Sequence, residues 1–346
     1  MKAAARRELP LLALTAVPTL LTATLIFVGG SAAQRFIEVQ LVAGTLFTIG
    51  SVGVGVTLSS LSLPSQMRPS QAVLVGPSLT FLVLAALDAV VFDSGYCAAL
   101  LMADLMYASI LYRIPGNIYA SRGLLLAQFL PLAGSVGVWV LAGLILAVHA
   151  HLYRLSVYQT TTGETIGWKI LVGAWSVSTV KDFLFRGHYI GLAALGLAGP
   201  QYASLLRFLD IVSRPTDYVF QRLVDHGRLF GRLTTVAWFV APVTAISVLL
   251  SPFVGSLAPL SVTDSVLIGL ASGLVFAVKS LSFEQNARLQ YGNLSLIYGL
   301  SLVLALPSLW FSRLPLFPAS FLLVALIVSL ILLLRSSLSH PNCGES

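Results

Sequence analysis

The sequence predicts an all-α, polytopic membrane protein with about twelve transmembrane helices and no separate soluble domain. Of its 346 residues, 57% are apolar and only 10% are charged, whereas about a quarter of a soluble domain is charged. The apolar residues form long runs separated by short basic segments, which is typical of serial membrane spans. These runs lack the alternating polarity that the strands of an outer-membrane β-barrel would show. Helical spans are therefore favoured over a barrel.

The positions of the apolar runs and of the basic residues give the spans and their orientation. A helix of about 20 apolar residues crosses the hydrocarbon core of a bilayer. Leu124 to Leu152 is long for one span, but two crossings there place the flanking basic residues on one side, and Gly134–Gly137 supplies a turn. Both termini are then cytoplasmic. The predicted spans are 10–29, 38–62, 72–92, 95–112, 122–136, 137–153, 169–193, 199–221, 233–255, 263–282, 291–311 and 316–334.

The longest polar insertion, residues 156–168, divides the predicted spans into two sets of six. We expect an N-terminal lobe over 1–155 and a C-terminal lobe over 169–346. Many transporters are built from two such halves with the substrate site between them. The halves share no evident residue-level identity, so this division depends on span number and linker position.

Cysteine and charge usage exclude several classes of function. Cys97 and Cys343 lie far apart, so neither a disulfide framework nor a metal-binding motif is expected. The net charge of +7 comes mostly from residues at span ends, where it signals topology and not nucleic-acid binding. No cofactor and no metal are expected.

Charged residues inside predicted spans are the candidates for function, because charge at membrane depth is energetically expensive. Most of them lie in spans seven and eight. Asp182 and Arg186 are four residues apart and can pair on one helix face. Arg207, Asp210 and Arg214 follow one face of the next span.

Two antiparallel helices with these residues would present a net-positive surface that suits a pyrophosphate group. The substrate-binding candidates are Lys181, Arg186, Arg207 and Asp210. The alternative interpretation is a set of structural ion pairs between the two spans. Arg214 is the weaker member, since it can extend to the inner interface.

Carboxylates at membrane depth are candidates for ion coupling, and here these are Asp104 and Asp182. Asp104 lies mid-span and either carries a coupling proton or is a hydrogen-bonded packing residue. Asp88 and Lys279 lie close to span ends, where an interfacial position is expected. His149 and His151 lie at a predicted inner boundary, where a metal role is not expected without further ligands.

Gly50, Gly53 and Gly55 give span two a face of small residues, which is typical of close helix packing.

Three stretches resemble a known family. They are Phe36–Leu41 with Gly53–Leu58, then Gly199–Arg207 followed by Pro215, and Leu281–Leu294 with its polar turn Gln285–Arg288. With the twelve spans, they resemble the polysaccharide flippase branch (the O-antigen and teichoic-acid exporter type) of the multidrug/oligosaccharidyl-lipid/polysaccharide exporter superfamily.

The resemblance implies two six-helix lobes around a central cavity, and alternating access that moves a lipid-linked oligosaccharide from the inner to the outer leaflet. Cationic cavity residues hold the pyrophosphate in this family, and Arg186 and Arg207 match best by position, with Lys181 next. The chain is shorter than usual for the family. Its first span carries neither arginine nor an acidic residue, which argues against the lipid II flippase and proton-coupled drug-exporter branches.

The leading hypothesis is therefore a flippase in the cytoplasmic membrane, without enzymatic activity, for an anionic lipid-linked glycan. H⁺ or Na⁺ is the expected coupling ion. One alternative is a multidrug or small-solute exporter of the same fold. Another is a glycan polymerase or ligase, against which the short, nearly chargeless outer loops argue. A fourth is a subunit whose charges only attach it to a partner.

Overall fold

The computed structural model describes residues 2–54, 69–92, 95–158, 166–224, 229–254, 261–287, 291–310 and 314–339. Within these ranges every regular element is a helix. The all-α fold class predicted from the sequence is thereby confirmed.

The first six helical segments follow closely upon one another along the chain. They are α1 (Lys2–Val28), α2 (Ser31–Gly50), α3 (Gln71–Leu87, continued by a π turn at Asp88–Phe92), α4 (Cys97–Leu111), α5 (Ile118–Leu124, continued by a 3₁₀ stretch at Leu125–Ala133) and α6 (Gly134–Arg154).

Six further helical segments complete the described part of the chain, and each of the twelve overlaps one predicted span. They are α7 (Trp168–Asp182, a π turn at Phe183–Gly187, then His188–Ala194), α8 (Pro200–Val224), α9 (Leu229–Leu250, with a 3₁₀ turn at Ser251–Phe253), α10 (Val262–Ala287), α11 (Tyr291–Ala305, with a 3₁₀ turn at Leu306–Trp310) and α12 (Leu316–Ser339).

Four helical stretches of the described residues are long and apolar enough to cross a membrane. These are Gln71–Phe92, Ile118–Arg154, Val262–Lys279 and Tyr291–Trp310. Large apolar side chains also cover much of the outer surface, and Trp310, for example, is 86% exposed. Extended apolar surface of this kind is unfavourable in water and favourable in lipid. The protein is thus a helical membrane protein, while twelve crossings in two lobes stay a prediction.

The 37-residue stretch Ile118–Arg154 is two helices. A straight helix of that length would extend about 55 Å, well beyond a hydrocarbon core of about 30 Å. At Gly134 the backbone adopts φ 71° and ψ −150°. The chain folds back there, so that a side chain at Gly137 would overlap the carbonyl group of Leu130. The predicted break between spans five and six is confirmed, although α6 begins at Gly134 and not at 137.

The prediction of one helix over 38–62 is wrong. Helix α2 begins at Ser31, directly after Gly29 and Gly30 with positive φ, and ends at Gly50. Val52 and Gly53 then adopt φ values of 47° and 77°. A right-handed helix cannot continue through left-handed residues, so the chain turns at Val52 and Gly53. Residues 55–62 lie outside the described part.

Close packing of the small residues of span two is confirmed where the structure describes them. A side chain at Gly53 would overlap the Leu171 carbonyl oxygen of α7, and one at Gly50 would lie 2.5 Å from the Phe81 ring. Beside this contact the Trp175 indole donates a hydrogen bond of 2.9 Å to the carbonyl oxygen of Ile49. Gly55 lies outside the described residues.

The described residues form two compact units, and the first comprises those up to Arg207. Helix α4 is at its centre and packs against α2, α3, α5 and α6. Most of its residues are buried, as expected for a helix that is apolar on all sides. The start of α4 is capped by Asp88, which is buried and accepts the backbone N–H of Cys97 at 2.7 Å. Asp88 therefore has a structural role.

The second unit comprises the described residues from Phe208 onward. Helix α10 is central and packs against α9, α11 and α12. Gly269 and Gly273, four residues apart, lie against Val248 and Thr244 of α9 so closely that side chains there would overlap them. This is the small-residue spacing of tightly packed membrane helices. The predicted lobe boundary at 156–168 stays a prediction, and 159–165 lie outside the described part.

Candidate functional site

The backbone of α7 changes from α to π geometry over Phe183–Gly187. His188 Nδ1 lies 2.6 Å from the Phe183 carbonyl oxygen, and its Nε2 lies 2.7 Å from the Tyr202 hydroxyl oxygen. Because a carbonyl only accepts, Nδ1 donates, and in the neutral ring Nε2 accepts from Tyr202. The π turn is thus fixed by a histidine. Such turns occur frequently at functional sites, and no sequence signal predicted this one.

The ion pair predicted between Asp182 and Arg186 is present. Asp182 Oδ1 and Arg186 Nη1 are 3.3 Å apart, and the two side chains are 5% and 21% exposed. The Thr48 hydroxyl of α2 lies 3.3 Å from Asp182 Oδ1 and 3.0 Å from the Gly44 carbonyl oxygen. Its single hydrogen serves one of these acceptors at a time.

Gly44 makes room for the Arg186 side chain on α2. A side chain at position 44 would overlap Arg186 Nη1 and would lie 2.7 Å from Cζ. The guanidinium group therefore lies flat against the backbone of α2. No motif in the sequence pointed to Gly44, because the contact depends on the rotation of two helices that are far apart in the chain.

Two further polar groups of the first unit lie between α7 and α2 and on α8. The Tyr189 hydroxyl donates a hydrogen bond of 2.6 Å to Glu38 Oε1 of α2. Arg207 of α8 is only 3% exposed. Since a guanidinium stays charged at all physiological pH values, this unit carries permanent positive charge at the half-buried Arg186 and at the buried Arg207.

The other predicted substrate residues are less enclosed. Lys181 is half-buried on α7, and Asp210 is half-buried on α8 within the second unit. The side chain of Arg214 lies outside the described set. The structure therefore brings Asp182 and Arg186 together against α2, whereas the convergence of Lys181, Arg186 and Arg207 on one cavity stays a prediction.

A second buried polar group contains Asp104 and two residues that sequence reasoning did not connect with it. Asp104 is fully buried in α4, and its Oδ2 lies 2.9 Å from His149 Nε2 of α6. His149 Nδ1 lies 2.6 Å from the Tyr158 hydroxyl oxygen. Burial, with Asp104 nearby, raises the pKa of Tyr158, so it stays a hydroxyl at physiological pH.

The structure adds partners to His149, for which only a position at a predicted inner boundary was expected. The ring bridges α4 and the turn after α6. Asp104 and His149 are 45 residues apart, and neither forms a motif with its neighbours, so residue spacing gave no signal that pairs them.

No group of three His, Cys, Asp or Glu side chains suited to hold a metal occurs among the described residues. No protein-family model matches the sequence, and neither a curated protein nor a solved structure matches it. The fold and the composition of its surface define a helical membrane protein with buried charge. Its activity is the subject of a proposal.

Proposed function

We propose that this protein is a flippase that moves a lipid-linked oligosaccharide or polysaccharide precursor across the cytoplasmic membrane by alternating access. It acts without covalent chemistry, and both termini face the cytoplasm. The proposal depends on the resemblance of three stretches to polysaccharide flippases and on one structural observation. That observation is the presence of a buried arginine, Arg207, and a half-buried arginine, Arg186, in an apolar helical unit.

The chemistry of these arginines suits a pyrophosphate group. A guanidinium presents a planar set of donors that binds phosphate oxygens in pairs. In a medium of low dielectric constant charge-assisted hydrogen bonds are strong, so binding of an anionic headgroup to these guanidinium groups is favoured. An apolar lipid tail would remain in the bilayer.

The Asp182–Arg186 pair gives the site a second state. A pyrophosphate that binds Arg186 takes the place of Asp182, whose carboxylate then retains the Thr48 hydroxyl as a donor at 3.3 Å. The released carboxylate is an acceptor for H⁺ or Na⁺. Substrate and coupling ion would thus bind to the two members of one ion pair.

Replacement of the arginines tests this proposal. We expect Arg186→Ala and Arg207→Ala each to lower glycan export by at least about tenfold, because each removes charged hydrogen bonds worth about 1.5–3 kcal/mol. Arg154→Ala is the matched control, since Arg154 is exposed on α6. Surface glycan and membrane levels of each variant are measured together. Normal export by an accumulating Arg186→Ala/Arg207→Ala double variant would contradict the proposal.

Gly44→Ala tests the position of Arg186 without removing its charge. The new methyl group would overlap the guanidinium, so export should fall although every charged residue is retained. Gly143→Ala is the control, because no atom lies within 4 Å of a side chain placed there. Equal export by the two glycine variants would exclude a role for the observed position of Arg186.

The same fold would also suit a multidrug or small-solute exporter. Deletion of the gene separates the two functions. A flippase deletion removes the surface glycan, whereas loss of drug resistance with an intact glycan would replace the proposal by the exporter alternative.

A further inference from the structure

Asp104 is a buried carboxylate whose contacts leave its charge uncompensated. It is 0% exposed, and its Oδ1 has no hydrogen-bond partner among the described residues. Its Oδ2 contacts only the His149 imidazole within the same set. A buried ionised carboxylate is costly unless it is paired with a positive charge. Among the described residues, the His149 imidazole is the group bonded to Asp104 that can carry a positive charge.

Among the described residues, His149 is bonded to a carboxyl and a phenol, neither of which is permanently charged. Asp104 approaches from α4 and Tyr158 from the turn after α6, and Tyr107 of α4 lies near both of them. Tyr107 donates to the carbonyl oxygens of Val73 and Leu74. The neighbouring His151 stacks on Tyr112 at 6.0 Å between ring centroids. Among the described residues, no lysine or arginine bonds to Asp104, His149 or Tyr158.

We propose that Asp104, His149 and Tyr158 form a proton-binding site in which the bound proton is the charge partner of Asp104. The His149 side chain is 14% exposed, so the ring reaches the surface of the helical unit. This site is independent of the transported substrate and stands whether or not the protein moves a glycan.

Proton binding changes the direction of one hydrogen bond. In the neutral ring, Nε2–H donates to Asp104 Oδ2 and Nδ1 accepts from the Tyr158 hydroxyl. When one proton is added at Nδ1, both nitrogens donate, and Tyr158 becomes the acceptor. Its own hydroxyl hydrogen must then turn to another oxygen. Ser78 Oγ of α3 lies within hydrogen-bonding reach of Tyr158 and can accept this hydrogen.

Binding of one proton at this site therefore changes the hydrogen bond between Tyr158 and Ser78 of α3. One proton is gained, no covalent bond of the side chains breaks, and Asp104 stays a carboxylate. The Tyr158 hydroxyl serves His149 in one state and Ser78 in the other.

Nitrogen NMR of the intact protein in lipid nanodiscs tests the proposal. The five histidines are labelled with ¹⁵N, and His149→Gln assigns the signals of His149. Between pH 8 and pH 5 we expect His149 Nδ1 to gain a hydrogen while Nε2 keeps its own. In Asp104→Asn the ring lacks its charge partner, so we expect a smaller fraction of His149 with two ring hydrogens at each pH. His151→Gln should leave that fraction unchanged.

Each result bears on the proposal. A wild-type His149 that keeps only one ring hydrogen down to pH 5 would overturn it, and this measurement needs no variant to fold. An Asp104→Asn protein that titrates as the wild type does would also overturn it. Tyr158→Phe should shift the Nδ1 signal, since that nitrogen loses its partner, and an unshifted signal would remove Tyr158 from the site.

Discussion

The first unit contains two buried carboxylates, Asp182 and Asp104, whose charges are compensated by different kinds of partner. Around α7, the carboxylate of Asp182 is compensated by Arg186, which is always charged. Around α4, the carboxylate of Asp104 contacts His149, whose charge depends on a proton. Both carboxylates are buried in apolar helices. The partner decides whether each group responds to an anion or to pH.

This comparison separates two possible events in a transport cycle. A permanently charged pair can exchange its carboxylate for the headgroup of a substrate, because the arginine needs an anion in every state. A histidine–carboxylate pair can gain or lose its charge without any substrate. The α7 group is therefore suited to substrate binding, and the α4 group to the binding of a proton.

The largest expected effect on stability comes from breaking the permanent pair. Asp182→Ala leaves Arg186 charged in a largely buried position, and removal of one partner of such a pair costs about 3–5 kcal/mol. We expect a marked fall in the thermal unfolding midpoint of the purified protein. The double variant Asp182→Ala/Arg186→Ala should regain part of this loss. A single variant as stable as the wild type would show that the pair is not buried in the membrane.

A smaller effect on stability is expected from a substitution at Asp104. Asp104→Asn keeps an oxygen acceptor for the His149 ring. The substitution also removes a buried charge that is itself costly. We therefore expect the free energy of unfolding to change by no more than about 1 kcal/mol, the usual net value of one hydrogen bond, in the same unfolding measurement. A loss as large as that of Asp182→Ala would remove the distinction between the two groups.

Hydrophobic periodicity and charge predicted the helices well, because both act locally along the chain. Twelve described helical segments overlap the twelve predicted spans. Even the division of Ile118–Arg154 followed from the positions of basic residues and the glycines near Gly134. The pairing of Asp182 with Arg186 was also local, since four residues form about one helical turn.

The features that the sequence did not predict depend on how distant helices face one another. The close contact between Gly44 and Arg186 and the hydrogen bond between Asp104 and His149 depend on how two distant helices are rotated relative to each other. Residue spacing within one chain segment does not encode that rotation. The left-handed turn at Val52 and Gly53 interrupted a run that hydropathy alone extended to residue 62. The π turn of α7 is fixed by His188, whose partners lie five and fourteen residues away.

Direct binding of a lipid pyrophosphate tests the central claim, that Arg186 and Arg207 recognise an anionic headgroup. The protein in nanodiscs is titrated with a polyprenyl pyrophosphate and, separately, with the polyprenol that lacks phosphate. We expect the pyrophosphate to bind at least about tenfold more tightly, and Arg207→Ala to remove this preference while Arg154→Ala retains it. Equal affinity for the two lipids, or an unchanged preference in Arg207→Ala, would contradict the account.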